Sequence, residues 1–500
     1  MSLNQLAYEQ NLSVVKDLTP QSLWQWFARI CATPHPSYHE EALANDIVAW
    51  ASSRGMTAYR DGVGNVIIKK NASQGYEHHP TIALQAHLDM VPQANADTVH
   101  DFTTDPIRLR IHPEDGEWLM ATGTTLGADN GIGMASCLAV LDSDDIAHPP
   151  LEVLLTMTEE TGMIGVFGLQ PQTLSAQMMI NTDTEEIGEV YIGCAGGIDA
   201  DMSLKVDWQA STFDTAIDLT IKGLRGGHSG IDIHKNRGNA IKILARILAD
   251  VQAQFADRFG ISAITGGTLR NAIPREASVS IACQAADKDA ILAIIDQSIA
   301  TITGEICQGE PKFTAVINDA NAPSQVLDTQ STAKAIHLMN ILPSGVVRYS
   351  DVVADTVETS LSFGKAQLTA DALECTLLIR SLIESGKAAV CQTLSSIATL
   401  AGADVKFDGD YVGWTPDTGS AITATTMRLY TDILGHAPEI KVIHAGLECG
   451  LIKTSHPTLD IVSIGPTIKN AHSPDEMVHI PSVVTYWTLL TQILANVPKA

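Results

Sequence analysis

Four strand ends within the first 190 residues carry acids or histidine. "LQAHLDMV" carries His87 and Asp89, "GTTLGADNGIG" carries Asp129, "TMTEETG" carries Glu159 and Glu160, and "MINTDTEE" carries Asp183. Taken singly, each has an ordinary explanation. His-x-Asp can be a hydrogen-bonded pair on a strand, Asp129 a helix cap before "NGIG", and Asp183 or the Glu pair solvated turn acids. Taken together the ordinary explanations weaken. Open parallel sheets gather their sites at the carboxyl ends of strands, and carboxylates brought together there repel one another unless a cation sits among them. Divalent metals meet that need, since zinc accepts imidazole nitrogen and carboxylate oxygen. Two metals can share one bridging carboxylate, a recurrent arrangement in hydrolases. His87 and Asp89 stand at i and i+2, which suits a ligand histidine oriented by a nearby carboxylate. A second histidine is available in "IKNAHSPDE", at His472.

Other chemistries lack their motifs. "HEEAL" has Leu43 where H-E-x-x-H needs its second histidine. "GGHSGI" has Ile231 where G-x-S-x-G needs its last glycine. "GADNGIG" lacks the dinucleotide-binding spacing, and no P-loop occurs.

These residues must be positioned by a suitable frame. Residues 1–194 alternate helical and strand patterns: "QSLWQWFARICA" and "EEALANDIVAWASSRG" as helices, "NVIIKK", "TIALQAHLDM", "LEVLLTMT" and "QMMINTD" as strands. That order predicts an α/β fold with a largely parallel sheet flanked by helices. The middle of the chain has a different texture. Strand-then-helix segments, such as "LECTLLIRS" before "KAAVCQTLSSIATLAG", point to an inserted α+β domain over 195–408. The first pattern returns over 409–500, so the first domain is discontinuous.

Bulk properties narrow the function classes. The chain has 500 residues, enough for two domains, and a formal charge of −26. With no basic run, nucleic acid and anionic membrane surfaces are poor partners. No apolar run has the length of a membrane span, and "MSLNQLAYEQNLSVVKDL" is no secretory signal. Eight scattered cysteines without C-x-x-C suit thiols in a reducing cytoplasm.

The combination of "HLDMVP", "GTTLGADNGIGMA", "TEETGMIG", "INTDTEEIGEVYIGCAGG", "GLRGGHSGIDIHKNRGNA" and "NAHSPDE" resembles the aminoacyl-histidine dipeptidases, a branch of the two-zinc aminopeptidases and carboxypeptidases. The likeness runs over essentially the whole chain. It implies a catalytic domain of 1–194 and 409–500 with an inserted lid and dimerisation domain. One metal would take His87 and Asp183, the other Glu160 and His472, with Asp129 bridging. Asp89 would support His87, and Glu159 would be the general base toward a metal-bridging water. His228 from the lid would stabilise the oxyanion, in relatives often across a dimer. Asn271, Arg380 and Gly446 match substrate-binding positions. Arg380 suits a substrate carboxylate because guanidinium offers a planar fork of donors; without the likeness, a structural salt bridge is an equal reading.

The resemblance thus implies a cytoplasmic, homodimeric metallo-dipeptidase cleaving Xaa-His and other short dipeptides, β-alanyl-histidine included. Its cofactors would be two divalent ions, zinc foremost, with cobalt or manganese also suited to the ligand set. A tripeptidase or N-acyl amino acid amidohydrolase is the alternative within hydrolases. A non-catalytic metal-binding protein is the alternative outside them. The residues themselves do not say which member of Glu159–Glu160 is base and which is ligand; that order comes from the resemblance.

Overall fold

The computed structural model describes residues 3–95 and 97–498. It divides into two compact units. The first comprises Met1–Gly193, Pro416–Val442 and Leu447–Ala500; the second comprises Cys194–Thr415 and Ile443–Gly446.

The first unit is built on an eight-stranded sheet in the order Thr57–Arg60, Val66–Lys70, Leu151–Thr156, Ile82–His87, Met178–Asn181, Asp460–Ser463, Glu189–Cys194, Glu439–Ile443. Its central four strands, Leu151–Thr156 to Asp460–Ser463, are parallel. The flanks turn antiparallel, at Thr57–Arg60 and Val66–Lys70 on one side and at Glu189–Cys194 on the other. Leu151–Thr156 and Ile82–His87 are buried at every position. That is why they carry apolar residues toward both faces rather than at alternate positions only. The helix Ala128–Asp142 packs on Ile82–His87 and on the helix Gln21–Cys31. It is buried nearly all round, and its small residues permit close approach. At Gly133 a β-carbon would fall 1.9 Å from Asn130 Oδ1 and 2.3 Å from Thr182 Oγ1, so no side chain fits. A smaller sheet carries the loop with His472, joining Ile468–Lys469, Met477–His479, Trp118–Ala121 and Leu109–Ile111.

The second unit is antiparallel. Its main sheet runs Thr314–Ala320, Thr215–Lys222, Ala277–Cys283, Phe259–Gly266, Val357–Leu368, Ala372–Ser381, Gly196–Lys205, Asp404–Tyr411, with Gly345–Tyr349 paired beside Val357–Leu368. Strands such as Thr215–Lys222 alternate between buried and exposed positions. The inward set joins residues of the helices Ala240–Phe255, Ala285–Ile306, Thr329–Ile341 and Glu384–Ala401 in one core. One apolar face covered by helices and one wetted face is the usual economy of an antiparallel sheet. No described helix is long and apolar enough to cross a membrane.

Candidate metal centre and anion site

The parallel strands of the first unit stop where their chemistry begins. Ile82–His87 ends on His87, and Leu151–Thr156 ends three residues before Glu159. Strand alternation would send Glu159 and Glu160 to opposite faces. The chain avoids this by turning just before them, where Thr158 has φ +52°, and again just after, at Gly162 (φ +123°) and Met163 (φ +56°). The first turn is clamped by buried Glu40, whose Oε1 accepts from the Thr158 amide at 2.8 Å and its hydroxyl at 2.7 Å. Asp89 then gathers both glutamates, accepting the Glu159 amide at 2.9 Å and the Glu160 amide at 3.2 Å. It also accepts from Ser37 Oγ at 2.7 Å and lies 3.4 Å from His87 Nδ1. Burial works against ionisation of Asp89, but the His87 contact and these donors together lower its pKa.

Asp129 is the hub. Its Oδ1 stands 3.1 Å from His87 Nε2 and its Oδ2 stands 3.2 Å from His472 Nε2. Asp183 Oδ1 completes the first side, 3.5 Å from His87 Nε2. Glu160 Oε2 completes the second, 3.1 Å from His472 Nε2. Two three-residue groups, His87–Asp129–Asp183 and Asp129–Glu160–His472, therefore have potential ligand atoms within 4.8 Å of one another and share Asp129. Glu159 falls in a third group, with His87 and Glu160.

The electrostatics fit cations. Burial raises the pKa of Glu159, with the charges of Glu160, Asp183 and Glu448 adding to it. Burial and Asp129 push Glu160 up to about 7, and burial raises Asp183 as well. Hydrogen bonds to Asp129 and Glu160 raise His472 to about 11. Glu160 Oε1 is buried and has no hydrogen-bond partner among the described residues. Four carboxylates facing two imidazoles, one oxygen unbonded, form a donor set that divalent metals fit.

Sequence reasoning missed several supports. Glu476 is 2 % exposed and accepts the backbone amides of Leu126 (2.7 Å), Gly127 (2.9 Å), Ala128 (2.7 Å) and Asp129 (3.3 Å). It ties the loop of His472 to the loop of Asp129. Its position four residues after His472 in "HSPDE" was the available signal. Asn130 donates to Asp183 Oδ1, orienting that carboxylate from the residue next to the hub.

The remaining expected residues lie in the second unit. His228 Nδ1 accepts the amides of Gly230 (3.2 Å) and Ile231 (3.1 Å). This fixes the ring proton on Nε2. Burial and the Arg380 charge lower the His228 pKa to about 4, so the ring is neutral at pH 7. His228 Nε2 stands 3.3 Å from Arg380 Nη2. Two donors facing each other cannot satisfy one another; they can share an incoming anionic oxygen. Arg380 is 5 % exposed and makes no hydrogen bond or close ion pair with a carboxylate among the described residues. Its Nη1 donates to Tyr411 Oη at 2.9 Å, and its Nε lies 3.4 Å from Ser229 Oγ. The salt-bridge reading of Arg380 thus fails. Gly230 is obligatory, since a β-carbon there would meet the His444 carbonyl at 1.8 Å. Asn271 accepts the Ser229 amide with its carbonyl at 2.9 Å, beside His228, while Gly446 closes the short stretch Ile443–Gly446. Tyr411 and His444 were missed, because neither lies in a chemically suggestive motif.

An α/β unit with acids and histidines converging at its strand ends, joined to an antiparallel unit with a buried arginine, has the construction of a metal-dependent hydrolase. The chain belongs to peptidase family M20/M25/M40, whose sequence model matches residues 83–496. It is 50% identical over 489 residues to the cytosol non-specific dipeptidase of Escherichia coli K12, covering 97% of this chain and 100% of that protein. The crystal structure of aminoacylhistidine dipeptidase from Vibrio alginolyticus matches with TM-score 0.88 at 48% identity, over 97% of this chain and 98% of that one. Aminopeptidase PepT from Bacillus cereus shares the fold, with TM-score 0.55 at 16% identity over 96% and 98% of the two chains.

Proposed function

We propose that the chain is a cytoplasmic dipeptidase that hydrolyses Xaa-His and other short dipeptides, β-alanyl-histidine among them. The observation that carries this reading is the division of Asp129: one oxygen faces His87 and the other faces His472. That geometry supports His87 and Asp183 as ligands of one ion, Glu160 and His472 as ligands of a second, and Asp129 as the bridge. Zinc fits this imidazole and carboxylate set. Two ions bound there would polarise the scissile carbonyl and lower the pKa of water toward ~7.

The chain's own residues do the rest. Glu159 takes the proton from the attacking water and delivers it to the leaving amine. Its carboxylate stands in one donor cluster with His87 and Glu160, which suits it to both transfers. Asp89 steadies His87 from the Nδ1 side and holds both glutamate amides. In the second unit, Nε2–H of His228 donates to the developing oxyanion, and Arg380 takes the substrate carboxylate. Asn271 and Gly446 line the substrate's path. Names of the two similar dipeptidases support a dipeptide substrate. The homodimer, with His228 acting across it, completes the reading.

The test is turnover on a panel of Xaa-His dipeptides, tripeptides and N-acyl amino acids, with metal analysis. Cleavage of dipeptides with two metals per chain is expected. Activity confined to tripeptides or N-acyl amino acids would overturn the substrate assignment. Mixing E159A and H228A proteins checks the dimer: partial recovery of activity is expected, and none would refute donation across it.

A further inference from the structure

Beneath the candidate metal centre lies a row of buried polar side chains that no step above uses. Gln85, Thr156, Asn181 and Ser463 are each 0 % exposed, in the middle of an otherwise apolar sheet. They come from the four central parallel strands. His87 is in register with Thr156, Gln85 with Asn181, and Asn181 with Ser463. Three of the four sit just before a candidate functional residue: Gln85 two residues before His87, Thr156 three before Glu159, Asn181 two before Asp183.

The row has a direction, and Glu448 sets it. This residue opens the helix Glu448–Ser455 and is 1 % exposed. Its Oε2 accepts from Gln85 Nε2 and from Thr156 Oγ1, both at 2.6 Å. Burial pushes the Glu448 pKa up to about 8, yet its Oε2 serves as acceptor to both donors, so Gln85 must turn its amide nitrogen toward Glu448. Gln85 Oε1 is then left to accept from Asn181 Nδ2 at 2.5 Å. Asn181 Oδ1 in turn accepts from Ser463 Oγ at 2.5 Å and from the Asp183 amide at 3.2 Å. One carboxylate thus fixes the orientation of two amide side chains in series and reaches the backbone of a candidate ligand. Glu448 Oε1 is buried and has no hydrogen-bond partner among the described residues, so the arrangement spends a buried acid that is only half satisfied. An apolar residue would fill the site at lower cost if packing were all that was needed.

We infer that Glu448 is a positioning residue: through Gln85 and Thr156 it sets the relative placement of the strand ends that carry His87, Glu159 and Asp183. The inference rests on the reading of Glu159 as base and of His87 and Asp183 as ligands. Because Glu448 accepts and need not donate, a glutamine there, with its carbonyl toward Gln85 and Thr156, keeps both contacts. An alanine keeps neither.

The experiment compares E448A, E448Q and Thr156→Val with the wild-type enzyme, each loaded with zinc. It measures metal content, thermal midpoint, kcat and KM on an Xaa-His dipeptide. E448A is expected to bind two ions and to lose kcat on the order of 10²-fold, the effect of displacing reacting groups by about 1 Å, with KM nearly unchanged. E448Q should recover most of that loss. Thr156→Val, which removes one donor and keeps the volume, should lose kcat in the same direction by a smaller factor and show non-additivity when combined with E448A. A lowered thermal midpoint with kcat intact in E448A would mean a purely structural role and overturn the inference. So would E448Q as impaired as E448A, because the loss would then follow charge. If E448A does not accumulate, E448Q and Thr156→Val decide: full kcat in Thr156→Val overturns it. E159A run alongside separates the two readings. Active E159A removes the base assignment, whereas inactive E159A with active E448A removes only the role of Glu448.

Discussion

The two polar sites of this molecule are opposites in charge and in what they leave unfinished. The first unit collects four carboxylates against two imidazoles and so calls for cations. The second buries Arg380 beside the neutral His228, both pointing donors at the same place, and so calls for an anion. A dipeptide has use for both, since its carbonyl needs polarising and its carboxylate needs a partner. The contrast teaches that acidity alone does not mark a catalytic centre. What marks it is a charge that stays uncompensated after every local hydrogen bond has been made. Removing the proposed base is the sharpest way to separate the two regions. E159A should retain both metals and the thermal midpoint yet lose kcat by roughly 10²–10⁴-fold, the usual scale of general-base assistance. Glu160→Ala, one residue on, should lose a metal instead. Equal metal loss in both variants, measured by elemental analysis, would break the division of labour between the two.

The anion site should fail differently. Arg380→Met removes charge-assisted hydrogen bonds worth ~1.5–3 kcal/mol each. The expected result is a fall in kcat/KM on the order of 10²-fold, carried mostly by KM, with metal content untouched. A dipeptide amide, which lacks the carboxylate, should be cleaved equally by wild type and Arg380→Met. A preserved difference on the amide would mean that Arg380 does not meet the carboxylate.

Smaller again is the effect of Glu476. A glutamine there can accept on one side only, leaving about half of the amides of residues 126–129 without an acceptor. Such outer partners of metal ligands typically contribute 10–100-fold in affinity. E476Q should weaken binding of metal at the Asp129–Glu160–His472 side by about that factor in competition titration, while Arg380→Met leaves it alone. Unchanged affinity would make Glu476 a loop staple and nothing more.

These residues also show what the sequence makes legible. His87, Asp89, Asp129, Glu159, Glu160, Asp183 and His472 could be singled out as a group because ligand chemistry restricts residue types and strand ends restrict place; the division into ligands and base came from the resemblance. The parallel centre of the sheet could be read because doubly buried strands are mostly apolar on both faces. The turn ahead of Glu159 could not, since it depends on Glu40, 118 residues earlier, holding Thr158 at a positive φ. Glu476 and Glu448 were hidden for the same reason: their donors lie roughly 350 and 290–360 positions away in the chain. Arg380 was ambiguous because a salt bridge and an anion site use the same side chain, and only its surroundings decide. Local pattern names the groups that act; long-range contacts name the groups that hold them.

The least of the expected effects tests the second unit by acid. His444 is buried, and its Nε2 lies 2.7 Å from Ser360 Oγ. Burial, with Arg380 and His228 nearby, pushes its pKa from 6.5 down to about 3. Its folded-state pKa is depressed, so the unfolded chain binds the proton more readily. Stability from the neutral ring is therefore complete above pH 6.5 and is lost as pH falls from 6.5 toward 3. Over that window the slope is up to one proton, about 1.4 kcal/mol per pH unit. His444→Gln should flatten the acid limb of stability by as much, read from denaturant unfolding between pH 4 and 6.5, and should leave the limb above pH 7 unmoved. An acid limb as steep as wild type would mean that His444 is already protonated in the fold. The cation-rich description of the second unit would then have to include it, and the contrast with the acid centre would sharpen rather than fade.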